Sequence, residues 1–333
     1  MVTANAALTG LLIASVPTRR ATISPCGGGG PPGNLFAYPR AGISVKEMPH
    51  ARDSVLRAMT DDGSFRVIAT RTTEMVRGAS QAQRVSGAVA RTFGELLTGG
   101  VLVRESMAPD LRVQVVLQGD DERSRMVADA HPSGLTRGLV QLASGQSAIS
   151  LGGRALVQVA RTLHNGSVHQ GVVSVPEGGG ISRALMAYMQ ESEQTVTMIA
   201  VGCLVDDNGD IAAAGGYLVQ LLPELDEGML MVMTERLKDF QSMEPLLLRG
   251  AAAPEDLLAE TLYGMPYTRV GDGDVTFGCT CSPARLAASL ATLPRADIES
   301  MIADGKVLEI ECDFCRKNYD YSPEQLRGLL AVN

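Results

Sequence analysis

The sequence predicts an α+β fold on three observations. Apolar residues recur at helical spacing in two separate places, several runs alternate with β-branched residues, and no strand–helix alternation or internal repeat points to a parallel sheet. Val85, Val89, Phe93, Leu96 and Leu97 lie on one helical face, as do Ile181, Leu185 and Met189. Leu111–Leu117, Ala155–Leu163 and Val168–Val175 read as strands because β-branched residues suit a pleated, half-buried surface. Thr195–Val205 and Ile211–Leu222 flank Asp207-Asn208-Gly209, so they predict an antiparallel hairpin with Asn-Gly available for the turn.

Composition bounds the rest. A chain of 333 residues, 45% hydrophobic and 20% charged, can bury a substantial core and divides into two folded domains rather than one. The longest apolar run, Ala6–Val16, is too short to span a bilayer, and no basic segment precedes it as in a secretory signal. No membrane association is expected. The net charge of -8, with 10 Asp and Glu against 6 Lys and Arg from Gly271 onward, argues against a nucleic-acid surface. Six cysteines are too few and too clustered for a secreted disulfide scaffold, which favours a reducing, cytoplasmic setting.

Four segments follow along the chain. Residues 1–47 are expected to be a disordered extension: the first 46 lack Asp and Glu, carry Arg19, Arg20, Arg40 and Lys46, and include Gly27–Gly30 before Pro31-Pro32. They read either as an organelle transit peptide or as sequence upstream of a start at Met48, and the second is preferred. Residues 48–222 form the α+β core. Residues 223–271 read as a helical connector, with Met229, Met231 and Met233 followed by Leu237, Phe240, Met243 and Leu246–Leu248. Flexible, polarizable methionine suits packing against irregular partners, although an ordinary packed helix pair explains the same residues.

Residues 272–333 carry Cys279-Thr280-Cys281 and Cys312-Asp313-Phe314-Cys315. Ser282-Pro283 starts a helix and Pro294 opens a second one running through Ile302. Val307–Glu311 is a strand delivering Cys312, Lys317–Tyr321 pairs back, and Ser322-Pro323-Glu324 begins a last helix. A unit this small has a thin core and needs a staple. Four thiolates around one zinc ion would supply it, at about 10–16 kcal/mol of apparent binding energy. Zinc and disulfides compete for these sulfurs. A tetrahedral site with bonds of about 2.3 Å puts sulfurs roughly 3.8 Å apart, whereas a disulfide needs about 2.05 Å. Each bridge therefore removes two ligands.

The run Val275-Thr-Phe-Gly-Cys279-Thr-Cys281-Ser282, the Thr292-Leu293-Pro294 step and Glu311-Cys312-Asp-Phe-Cys315 with Tyr319 resemble the zinc domain of a redox-regulated heat-shock chaperone family, the thirty-three-kilodalton heat-shock protein. Gln170-Gly171-Val172-Val173, Tyr188-Met189 with Ser192-Glu193-Gln194, and Ala213-Ala214-Gly215-Gly216 before Val219-Gln220 are similar to segments of the family's core, so the likeness runs over roughly 48–330. The resemblance implies an ATP-independent holdase rather than an enzyme. When reduced it would be an inactive monomer holding one zinc ion through Cys279, Cys281, Cys312 and Cys315. Oxidants such as hypochlorite, or peroxide with heat, would bridge Cys312 to Cys315 first, unfold the connector, and then bridge Cys279 to Cys281. The active form would be a homodimer that binds unfolding clients, with Met229, Met231, Met233, Leu237 and Phe240 as candidate contacts.

Other readings fit less well. A thiol-disulfide oxidoreductase would use Cys312 and Cys315 as a dithiol, but such motifs open a helix within a βαβ unit, and here a strand leads in. A zinc ribbon for nucleic acid would need basic residues and more stacking surface than Phe314, Tyr319 and Tyr321. Four cysteines would close the coordination shell of a catalytic zinc. Cys203, in an apolar strand, reads as a buried inert thiol, and Cys26 lies in the extension. His50, His131, His164 and His169 are scattered, and neither Gly27–Gly30 nor Gly178–Gly180 is followed by the Lys of a phosphate loop.

Overall fold

A computed structural model of the protein describes residues 52–163, 165–223, 227–250 and 253–332. The readings of residues 1–47, Cys26, His50 and His164 lie outside the described residues. The core opens with strands β1 (Ser54–Thr60) and β2 (Phe65–Arg71) and helices α1 (Thr73–Gln83) and α2 (Gly87–Ser106). Strands β3 (Arg112–Gln118), β4 (Arg125–Ala130), β5 (Leu135–Gln141), β6 (Leu156–Thr162) and β7 (Val168–Ser174) follow. Helix α3 (Ile181–Glu191) then leads into the hairpin β8 (Thr197–Val205) and β9 (Ile211–Leu221).

Three short helices come next, α4 (Glu227–Asp239), α5 (Glu244–Leu248) and α6 (Pro254–Thr261), before the strands β10 (Tyr267–Asp274) and β11 (Thr276–Phe277). The C-terminal unit contains α7 (Pro283–Leu290), α8 (Arg295–Ala303), the hairpin β12 (Leu308–Glu311) and β13 (Asn318–Tyr321), and α9 (Pro323–Val332).

Two sheets make the core. One is antiparallel in the order β10-β1-β2-β9-β8; the other runs β11-β5-β4-β3-β6-β7, antiparallel except where β11 lies parallel to β5. Helix α2 packs against strands of both sheets, and 14 of its 20 residues are buried. Close approach on one side requires Gly94, where a Cβ would come within 2.6 Å of the Cys203 sulfur. The inner face of the first sheet contributes Val55, Ile68, Ile199, Val201, Cys203 and Leu218 to this core.

The opposite face of that sheet is apolar too. Phe65, Val67, Ala69, Met198, Ala200, Tyr217 and Val219 alternate with the inner set and are all buried. Helices α5 and α6 cover them: Met243 and Leu247 lie over Gly202, and α6 packs on β1 and β2. The Tyr217 hydroxyl donates to the carbonyl of Phe240, at the end of α4. Leu230, Met233 and Leu237 form the buried face of α4, at i, i+3 and i+7.

Several expectations need correction. Val85 precedes the helix it was assigned to, and a separate helix, α1, lies before it. The break comes at Arg84, whose left-handed backbone (φ 54) closes α1 with bonds from Arg84 N–H to Gln81 O and Val85 N–H to Ser80 O. Strands β1, β2, β4 and β5 lie in stretches whose sequence marks no individual strand. β2 and β4 are buried on both faces and so lack alternation. The segment 223–271 is helical only as far as Thr261; from Tyr267 it is strand β10, paired antiparallel to β1.

Glu95 of α2 lies near the boundary with α5. Burial raises its pKa from 4.5 to about 7; Arg91 opposes the rise and Glu244, the first residue of α5, adds to it. The folded chain then binds more protons at Glu95 than the unfolded chain between those pH values, so stability falls as pH rises from about 4.5 to about 7. Glu95→Gln is expected to flatten the stability profile over that interval in denaturant titrations. An unchanged slope would remove Glu95 as its source.

Candidate metal centre

The two cysteine pairs are delivered by different local devices. β11 pairs with β5 through Thr276–Leu135 and Phe277–Thr136, and the Gly278 N–H bonds to Thr136 O at 3.1 Å, which fixes the chain entering Cys279. Cys281 stands just before the Ser282 cap of α7, whose Oγ accepts from Arg285 N–H at 3.2 Å, with Pro283 in the first turn. The other pair occupies the turn of the β12–β13 hairpin. Arg316 N–H bonds to Cys312 O at 2.8 Å and Cys312 N–H to Lys317 O at 2.9 Å, with Arg316 left-handed (φ 57).

These devices bring four sulfurs together. All lie within 4.8 Å of one another, with Cys279–Cys312 at 3.8 Å and Cys281–Cys315 at 3.4 Å, and none is bonded to another. Four sulfurs about a metal with bonds of about 2.3 Å would sit roughly 3.8 Å apart, close to what is observed. The arrangement can hold a metal ion, and an all-sulfur donor set suits a thiophilic one. Among the described residues this is the one group of three or more His, Cys, Asp or Glu side chains placed to do so.

The electrostatics point the same way. Burial raises the Cys281 thiol, but bonds from the Tyr319 hydroxyl (3.1 Å) and the other sulfurs outweigh it and bring the pKa down to about 7. Cys315 goes the other way, to about 12, through burial and the neighbouring sulfurs, and Tyr319 is pushed up by its bond to Cys281. Thiolates this close resist joint ionisation, so four of them need a cation. One already approaches: Arg137 of β5 donates to Cys279 Sγ at 3.2 Å.

The module's own core comprises Leu290, Ile298, Cys312, Tyr319, Tyr321 and Leu326, and the Tyr321 hydroxyl ties it to Pro283 O at 2.7 Å. The other sequence candidates lie elsewhere. Met233 and Leu237 are buried beneath α4, Met229 and Phe240 are half-buried, and Met231 is exposed. Cys203 is buried against α2, where burial raises its thiol to about 12. His131 faces Asp129 at 3.4 Å and His169 is exposed on β7. Sequence reasoning missed Arg137 and Gln83, which touch the cysteine unit from distant elements, and missed Leu230, Leu257, Leu258 and Leu262, which bury the connector.

Residues 53–322 match the family described as Hsp33 protein. The chain belongs to the Hsp33 family. Relatives named 33 kDa chaperonin include that of Syntrophotalea carbinolica, 29% identical over 291 residues covering 84% of this chain and 100% of the relative, and that of Geobacter sulfurreducens, 29% identical over 288 residues covering 83% and 94%. The fold is shared with the crystal structure of the 33 kDa chaperonin (heat shock protein 33 homologue) of Thermotoga maritima, with a TM-score of 0.71, 24% identity and coverage of 85% of this chain and 99% of that one. No helix among the described residues is long and apolar enough to cross a membrane. Family membership and the sulfur cluster agree on one expectation: Cys312→Ser should lower the zinc or cadmium retained per chain after dialysis, by elemental analysis, while a Cys203→Ser control retains the wild-type amount.

Proposed function

We propose that the chain is a redox-regulated, ATP-independent holdase, inactive while Cys279, Cys281, Cys312 and Cys315 hold one zinc ion and active once those sulfurs are bridged. The observation that carries this reading is the gathering of four sulfurs, with no other donor type, at spacing that suits a tetrahedral ion. Bound zinc would supply the cohesion that a core of six buried side chains lacks.

The chemistry of the switch belongs to the chain's thiols. Two cysteine thiols give two electrons and two protons and form one S–S bond; hypochlorous acid, accepting them, becomes water and hydrochloric acid. Each disulfide withdraws two of the four donors, and two remaining sulfurs are too few to keep the ion. In line with the family likeness, Cys312–Cys315 bridges first, and the connector leaves the outer face of the first sheet, exposing Phe65, Val67, Met198 and Val219 together with its own Leu230, Met233 and Leu237. Cys279–Cys281 bridges last. Unfolding clients bind this apolar surface, with the oxidised chain dimeric and the reduced chain monomeric, and no catalytic group takes part. A cytoplasmic location fits thiols kept reduced until stress.

The oxidoreductase alternative finds less support, since Cys312 and Cys315 lie in a hairpin turn rather than at a helix N-terminus.

Reduced protein should contain one zinc ion per chain and fail to keep a thermally unfolding client in solution, whereas treatment with hypochlorite should release zinc and switch protection on, as read by light scattering and a colorimetric chelator. Equal protection in both states would defeat the proposal. Gly202→Ala provides a second check, because its Cβ would meet Met243 Cβ at 2.7 Å and Leu247 Cδ1 at 3.1 Å. Overpacking of this kind costs about 1–3 kcal/mol. It should lift α5 from the sheet, leaving the reduced, zinc-loaded variant more protective than wild type in the same scattering assay.

A further inference from the structure

The cysteine module is fastened to the core at one compact set of side chains. Arg137 Nη1 donates to Cys279 Sγ at 3.2 Å, and the same guanidinium lies 4.2 Å from the centroid of the Phe314 ring, inside the Cys312–Cys315 turn. A single side chain thus grips both cysteine motifs. Its direction is set from behind: Arg137 Nε donates to Asp129 at 2.8 Å, and Asp129 is fully buried and also accepts from Arg112 at 2.6 and 2.7 Å. Burial would raise the Asp129 carboxyl, but His131, 3.4 Å away, together with Arg112 and Arg137 outweighs it and holds the group well below the ordinary carboxylate range.

Gln83, at the end of α1, completes the grip. Its Nε2 donates to Asp313 O at 2.7 Å and Phe314 O at 2.9 Å, while its Oε1 accepts from Val140 N–H of β5 at 3.1 Å.

We propose that Arg137 is the docking residue of the cysteine module, seating it on the core by holding Cys279 and Phe314 at once. The seat persists only while both motifs keep the gathered four-sulfur arrangement. The proposal rests on the switch described above and deepens it. Arg137 is a positioning residue in that switch: it orients one sulfur donor and the turn that carries two more. Partners of this kind, behind the ligands of a metal, usually change metal affinity about 10- to 100-fold when altered. A sulfur engaged in a disulfide carries no charge for the guanidinium to meet, and closing Cys312 onto Cys315 reshapes the turn under Phe314, so either bridge opens the grip.

The test uses the reduced full-length chain loaded with zinc, in two variants. Arg137→Lys keeps a positive charge beside Asp129 but loses the planar fork and the stacking face. Phe314→Leu keeps an apolar side chain and alters no buried charge. Zinc release to a chromogenic chelator and amide hydrogen exchange over residues 279–316 are followed for both, with exchange of α2 and β8 amides as the measure of an intact core. Each variant is expected to release zinc about 10- to 100-fold faster and to exchange faster within 279–316 alone. Wild-type release and exchange in Phe314→Leu, or in a folded Arg137→Lys, would overturn the proposal. If Arg137→Lys does not fold, Phe314→Leu decides by itself. Should wild-type protein hold no zinc or show no oxidative switch, the functional reading fails, and the exchange of residues 279–316 in the metal-free variants still decides the docking role.

Discussion

The first sheet is apolar on both faces, and that requirement for cover organises the molecule. Its inner face is filled by α2, a 20-residue helix with most of its surface buried between the two sheets. Its outer face is covered by helices of 13, 5 and 8 residues. Helices this short are marginal alone in water, so α4, α5 and α6 exist because the sheet receives their apolar faces, and the sheet's outer side chains stay dry because the helices are there. Such mutual dependence makes the cover cooperative. It also means that removal exposes two complementary apolar surfaces at once, one on the sheet and one on the helices.

The cysteine module solves the opposite problem. It has too little apolar material for independent stability, and its sulfurs are arranged so that they do not ionise together unaided, with Cys281 lowered and Cys315 raised. Its cohesion comes from whatever positive charge the sulfurs can recruit. The core contributes one guanidinium from outside, and the proposed zinc ion contributes the rest from within. A module held this way responds to the electronic state of its sulfurs far more sharply than a hydrophobic core would. The cover of the first sheet and the cohesion of the module are thus separate balances, joined by the strands between them.

The parts of this design that rest on local rules were legible in the sequence. Ser282-Pro283, Pro294 and Ser322-Pro323 placed the three helices of the C-terminal unit, because helix starts are set within three or four residues. The β8–β9 hairpin announced itself through Asn208-Gly209, and α3 through the spacing of Ile181, Leu185 and Met189. What escaped depends on tertiary context. β2 carries buried residues on both faces because α2 lies on one side and the connector on the other, which erases alternation. β10 is mostly exposed and reads as a polar loop until β1 is seen beside it. Arg137 and Gln83 left no signal: nothing in Leu135-Thr136-Arg137 distinguishes an arginine that holds a cysteine 142 residues away.

The path between sensor and cover can be argued from the same contacts. The connector packs on β1, β2, β8 and β9 of the sheet, and the chain itself links it to the sulfurs. That chain is β11 and then β10. β11 lies against β5, the strand that carries Arg137, so loss of the grip on Cys279 is felt first where β11 joins the second sheet. β10 is one edge of the first sheet, β8 being the other, and its register with β1 shifts between Arg57 and Ala58. An edge strand with an irregular ladder gives way more readily than the central strands, since fewer backbone bonds hold it and water already reaches them. The far end of β10 is Tyr267, beside Pro266, whose carbonyl accepts from Asp61 N–H at 3.0 Å where the connector ends. β9 anchors the connector at its other end, so peeling β10 would free one end of the cover while the central strands keep their ladders. One of the two edge ladders of the first sheet therefore lies on the chain between the cysteine unit and the helices that cover the sheet, which is where the proposed switch would yield.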